Sequence, residues 1–143
     1  MTTSAELEHV QSVWTRMKPN SPIYSWLLDE ISLISATNGS IQARLRVKPV
    51  HLNSKGTLHG TTSACLVDWA GGMAIASTGR DKTGVSTDIH TTYVSTAKEG
   101  DYLVITAKAS KVGGTLAYTS IEISKEDGGA IVCTGTHTKY VKQ

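Results

Sequence analysis

The chain has 143 residues, 39% of them hydrophobic and 18% charged, with 14 basic and 12 acidic side chains and a formal net charge of +2. That length holds one domain with a full hydrophobic core and is too short for two plus a linker. A charged share below the usual ~25% excludes a self-repelling disordered polymer, and the even mixing of signs excludes the basic footprint that nucleic acid requires.

The opening residues Thr3, Ser4, Ala5 and Glu6 read as a helix capping box. Leu7, Val10, Trp14 and Met17 then recur at helical spacing, which predicts an amphipathic helix ending before Pro19 and Pro22. Residues 1–30 are therefore expected to form a helical extension of a single domain spanning 1–143. Glu6 and Glu8 argue against an Arg-rich, acid-poor mitochondrial transit peptide, and no secretory signal is read. No run approaches the ~18 unbroken apolar residues of a membrane-spanning helix. Cys65 and Cys133 have neither zinc-site spacing nor a disulfide framework, so a reducing, cytoplasmic location is expected.

Residues 31–35 read as a first strand, and Ile41, Ala43, Leu45 and Val47 alternate with polar residues as a half-buried second. Turn formers fill 51–58. The apolar run 64–76, broken by a single charge, predicts a central helix. Beyond Gly84 the period becomes two over 86–93, 102–112, 116–124 and 131–141, rich in Thr, Val, Ile and Tyr. The joints Glu99-Gly100-Asp101, Val112-Gly113-Gly114 and Asp127-Gly128-Gly129 read as hairpin turns, so these four strands are expected to form a meander. The class is α+β, with one helix on the concave side of a curved antiparallel sheet.

Asp68 is the one charge inside the apolar run. On a helix of ~3.6 residues per turn, its face carries Thr61, Ala64, Cys65, Gly71, Gly72 and Ile75, opposite Leu66, Ala70 and Met73. Glycine inside a helix costs roughly 1 kcal/mol against alanine, so Gly71 and Gly72 need a close approach, for which a substrate channel is one reason. Asp68 is either exposed at a bend marked by those glycines or partly desolvated, which raises its basicity and suits it to act as base or nucleophile. If the helix starts near His59 or Gly60, their backbone N–H groups are unpaired at the positive end of the helix dipole. Asn53 adds a side-chain donor. Donors that hold an oxyanion and a carboxylate that activates water together suit acyl transfer. His59 is instead readable as a satisfied structural histidine, the commoner case for a lone histidine.

The run Gly56-Thr57-Leu58-His59-Gly60, then Asp68, then Gly84-Val85-Ser86-Thr87-Asp88 resembles the hot-dog-fold acyl-CoA thioesterases, of both the phenylacetate-degradation type and the mammalian branch. The likeness extends from about residue 40 to the C-terminus, through Tyr93 to Lys98 and the closing His137-Thr138-Lys139. It implies a long helix wrapped by a curved sheet that continues into a second copy across a homodimer, with dimers pairing into a tetramer. It also implies hydrolysis of acyl-CoA without a metal or organic cofactor. Carried over residue by residue, Asn53 and the Gly60 N–H of one copy hold the thioester carbonyl, His59 stands beside them, and Asp68 of the other copy is nucleophile or general base. Ser86 orients water or acid. Tyr93, Ser95 and Lys98, with Lys111, Gly114 and Thr115, are expected along the coenzyme A arm, the two lysines placed to meet phosphates. This chain departs from the pattern at Thr61, where many relatives have glycine, and at Gly113 and Gly114, where a relative has a basic residue.

Two readings compete within this frame. A hot-dog dehydratase of 3-hydroxyacyl thioesters would use His59 as base and Asp68 as acid, and a binding module would use neither for chemistry. Metal binding through His51, His59, His90, His137 and the cysteines lacks any ligand pair at a recognised spacing.

Overall fold

The computed structural model describes residues 4–143. Helix α1 (Ala5–Met17) buries Val10, Val13 and Trp14 and half-buries Leu7 and Met17, the expected stripe with one addition. Its N-cap is Ser4, whose hydroxyl accepts from the Leu7 N–H, so the box expected at Thr3 moves by one residue and Thr3 itself lies outside the described residues. A 3-10 turn over Lys18–Asn20 leads into a second helix, α2 (Pro22–Leu27), which no helical period in the sequence had marked. Proline at the first helical position lacks only an N–H that would be unpaired there, and Ser21 caps the helix.

Strands β1 (Ser32–Thr37) and β2 (Ser40–Arg46) pair as a hairpin. Helix α3 (Gly60–Ala76) then crosses one face of the sheet, and β3 (Val85–Tyr93), β4 (Tyr102–Val112), β5 (Leu116–Lys125) and β6 (Ile131–Tyr140) follow. All pairings are antiparallel, in the order β1-β2-β4-β5-β6-β3. The four-strand meander expected after Gly84 is therefore only β4-β5-β6. Strand β3 pairs with β6 at the far edge, and the segment through Glu99-Gly100-Asp101 is a crossing rather than a hairpin. Backbone bonds pull that crossing elsewhere: Leu58 N–H donates to Ala97 (2.8 Å) and Gly100 N–H to Val47 (2.8 Å), docking it on the entry to α3 and the end of β2.

The core lies between α3 and the concave face, with Leu66, Val67, Trp69 and Met73 buried against Leu45, Ile105, Ile121, Ile123 and Cys133. Helix α3 sits unusually close to β6. At Gly135 a Cβ would stand 2.8 Å from the Val67 side chain, and at Gly71 one would stand 2.7 Å from His137 Nδ1 and 2.8 Å from Thr119 Oγ1. Gly71 thus makes room for the chain's own side chains, which corrects the substrate-channel expectation. Gly72 is buried too, against Thr83 and Lys139 at ordinary van der Waals range. No helix among the described residues is long and apolar enough to cross a membrane.

Candidate active site

Helix α3 is covered nearly all round except along one stripe, where Thr61 is exposed and Ala64, Cys65 and Asp68 are half-buried. These positions share one helical face. The stripe joins two groups of polar atoms, one at each end.

At its inner end lies Asp68, 33% exposed. Tyr24 of α2 donates its hydroxyl to Oδ2, and Ser86 of β3 approaches Oδ1 at 3.4 Å. Ser86 Oγ is also 2.7 Å from Nε2 of His137 on β6, whose ring is fully buried and lies 3.6 Å from Oδ1. Burial first, and then Lys139, hold His137 below the ordinary histidine range, with Asp68 opposing. The imidazole is therefore neutral. Its Nδ1 has no partner among the described residues, and a bare lone pair is cheaper to bury than an N–H, so the proton belongs on Nε2. The chain of donors then runs from His137 Nε2–H to Ser86 Oγ and from the Ser86 hydroxyl to Asp68.

Two more groups face this carboxylate. Burial and then Asp68 push the Cys65 thiol up to about 12, leaving it protonated and unreactive at neutral pH. Burial lowers the pKa of Lys139, Asp68 opposes that shift, and Lys139 Nζ donates to Thr83 Oγ1 at 3.3 Å. Local backbone geometry aims Ser86 here. Gly84 has φ +80° and passes so close to the Tyr140 carbonyl that no side chain fits, and a bulge between Ser86 and Asp88 shifts the register against β6.

At the outer end, His59 is the N-cap of α3, its Nδ1 accepting from Thr61 N–H at 2.9 Å. The His59 N–H, expected to be free, donates to the His51 carbonyl at 2.8 Å. The Gly60 N–H finds no acceptor among the described residues. The Tyr93 ring lies 3.4 Å from where a Gly60 Cβ would be, and its hydroxyl donates to the Gly60 carbonyl at 3.2 Å. Asn53 sits in the loop just before, its Oδ1 accepting from Lys55 and Thr57 N–H and its Nδ2 donating to Thr57 Oγ1 at 2.9 Å.

Not every expected residue is gathered. Asp68 and Ser86 meet, and His59, Gly60 and Tyr93 cluster while Asn53 bonds within its own loop, but Gly60 and Asp68 stand eight positions apart on the helix, about 12 Å along the axis. Ser95 donates to the Ile131 carbonyl at 2.6 Å behind the Tyr93 end. Lys98 precedes β4 while exposed Lys111, Gly114 and Thr115 lie at its other end, roughly 33 Å away at strand rise. Of the histidines read as metal candidates, His51 is buried between the Lys48 N–H and the Leu27 carbonyl, and among the described residues no three His, Cys, Asp or Glu side chains are grouped so as to hold a metal ion. Sequence reasoning missed Tyr24 and the part played by His137. For His137 the signal was present in the closing His-Thr-Lys run; for Tyr24, on a six-residue helix, there was none.

The chain matches the family model described as Thioesterase superfamily over residues 55–132. It is 42% identical over 115 residues to acyl-coenzyme A thioesterase 13 of Homo sapiens, covering 80% of this chain and 82% of that one. Among solved structures it superposes on zebra fish thioesterase superfamily member 2 with a TM-score of 0.86 at 35% identity, covering 96% of this chain and 99% of the other. A hypothetical thioesterase protein from Streptococcus pneumoniae, solved with coenzyme A, matches with a TM-score of 0.74 at 26% identity, covering 79% of this chain and 89% of that one.

Proposed function

The chain belongs to the thioesterase superfamily, and from that premise we propose that it hydrolyses acyl-CoA thioesters to the free acid and coenzyme A. Asp68 is the general base. It takes a proton from a water positioned by Ser86 while that water attacks the thioester carbonyl. The Gly60 N–H and the Asn53 amide hold the oxygen as it becomes an oxyanion, at the positive end of α3. The tetrahedral intermediate then expels the coenzyme A sulfur, which takes the proton back from Asp68 and leaves as the thiol.

The observation that carries this reading is a half-shielded carboxylate held by hydroxyl donors on the same stripe as an unpaired helix-terminal N–H. Because about 12 Å separates these two ends in one chain, the carbonyl donors come from one copy and Asp68 from a second. Strand β3 suits that pairing. Among the described residues it pairs with β6 alone, and Val85, Ile89 and Tyr93 along it, with Val94 just beyond, are exposed, so its free edge and apolar residues fit a second copy related by a two-fold axis. Lys98 and Lys111, at opposite ends of β4, reach one coenzyme A only from different copies, in keeping with a dimer of dimers.

The test is a panel of aryl, short-chain and long-chain acyl-CoA esters followed by thiol release, for the wild type and Asp68→Asn. Release by the wild type and its collapse in the variant support the reading. An intact thioester throughout, or a variant as fast as the wild type, overturns it. The same assay separates a dehydratase, which leaves the thioester whole.

A further inference from the structure

Tyr24 belongs to none of the motifs that mark the site, yet its hydroxyl reaches the central carboxylate across 44 residues of sequence. Three contacts hold it there. His51, buried, donates from Nε2 to the Leu27 carbonyl at the end of α2 (2.6 Å) while its Nδ1 accepts from the Lys48 N–H (3.0 Å). Ser21 Oγ accepts from the Tyr24 N–H at the start of α2. Trp14 of α1 packs edge-on against the Tyr24 ring (centroids 5.9 Å apart) and against Trp69 (5.5 Å), the residue next to Asp68. The N-terminal helices thus form a bracket that delivers one hydroxyl.

We propose that Tyr24 is a positioning residue for the hydrolysis, its hydroxyl fixing Oδ2 of Asp68 so that Oδ1 is left to Ser86 and the attacking water, and stabilising the carboxylate in its ionised form. The proposal rests on the reading of Asp68 as general base. A hydroxyl that donates to a carboxylate favours its charged form, so removing the Tyr24 hydroxyl should reach the pH dependence of the reaction as well as its rate. Burial and the adjacent carboxylate push the phenol far above its ordinary range, which keeps it a donor at every working pH. The other groups around Asp68 do not replace it. From α3, Cys65 is a protonated thiol; from β3, Ser86 serves Oδ1 and Asp88 is itself an acid; from β6, His137 is neutral and Lys139 donates to Thr83.

The experiment compares the pH dependence of kcat/KM for the wild type, Tyr24→Phe and Asp68→Asn on one acyl-CoA ester, with thermal midpoints recorded alongside. Tyr24→Phe keeps the ring between Trp14 and the helix and removes only the hydroxyl. The expected result is an acid limb displaced upward by about one pH unit, the size of one hydrogen bond to a charged group, with kcat lowered and KM held. A merely structural role would lower the thermal midpoint and leave the limb in place. Tyr24→Met, which fills the space without a donor, reads the same limb should the phenylalanine variant fail to fold. An unmoved limb with Asp68→Asn inactive overturns the assignment of Tyr24 alone. An active Asp68→Asn overturns the general-base reading beneath it.

Discussion

The two ends of the open stripe on α3 are finished to different degrees. Around Asp68 the chain supplies everything itself: a phenol from α2, a hydroxyl from β3 and a neutral imidazole from β6. Around Gly60 it supplies donors and stops, with an N–H that meets no acceptor among the described residues and a tyrosine ring laid against the glycine. On the mechanism proposed above, the difference teaches that one chain would carry two halves of different sites, a base at one end of the stripe and an oxyanion hole at the other, about 12 Å apart.

Substitutions at the two ends should break activity differently from substitutions between them. Asp68→Asn removes the proton acceptor but keeps the shape, so kcat should fall by about 10²–10⁴-fold with KM little changed, read by thiol release. Asn53→Ala removes one of two carbonyl donors and should lower kcat by about 10²–10³-fold. The Asn53 amide also ties its own loop together, so part of that loss should reappear as a raised KM.

The buried half of the same helix face sharpens the contrast through stability. Gly71→Ala drives a methyl into His137 and Thr119, and the expected cost is about 1–3 kcal/mol, a thermal midpoint lower by several degrees, with the Ser86–His137 contact disturbed as well. Gly72→Ala meets its neighbours at ordinary contact distance and should be neutral, or more stable by up to about 1 kcal/mol through helix propensity. Equal losses at the two positions would contradict the packing described for His137.

A smaller effect should appear in the pH dependence of stability. Burial lowers the pKa of both His137 and His51, so the unfolded chain takes up protons first as pH falls. The stabilisation is present above the ordinary value of ~6.5 and is lost as pH drops from there toward the folded-state values. A thermal midpoint lower by about a few degrees at pH 5 than at pH 7.5 is expected, and His137→Gln should flatten the slope.

The legible parts of this protein were those written locally. The apolar run with one acid, the helix start near His59 and the glycine at 60 lie within eighteen residues of each other, and helical spacing alone puts Thr61, Ala64, Cys65 and Asp68 on one face. Alternation found every strand to within a residue or two. The position of β3 at the far edge was not legible, because period-two patterning says nothing about which neighbour a strand takes, and the Gly100 turn that resembled a hairpin is pinned to Val47 instead. Tyr24 was hidden for a related reason: a helix of six residues behind a proline shows no period, and its partner stands 44 positions away. The glycine at 71 signalled close approach, but not whether a ligand or the chain's own histidine does the approaching, and the glycine at 72 meets its neighbours at ordinary contact distance.

The division of one site between two copies is tested most directly by mixing two inactive forms. Co-expressed Asp68→Asn and Asn53→Ala chains should pair at random into dimers, half of them mixed, and each mixed dimer should carry one site with both its acid and its donors intact. Thiol release should then recover to about a quarter of the wild-type rate. Mixed dimers, shown by mass to have formed, that hydrolyse no faster than the average of the two parents would contradict the shared site.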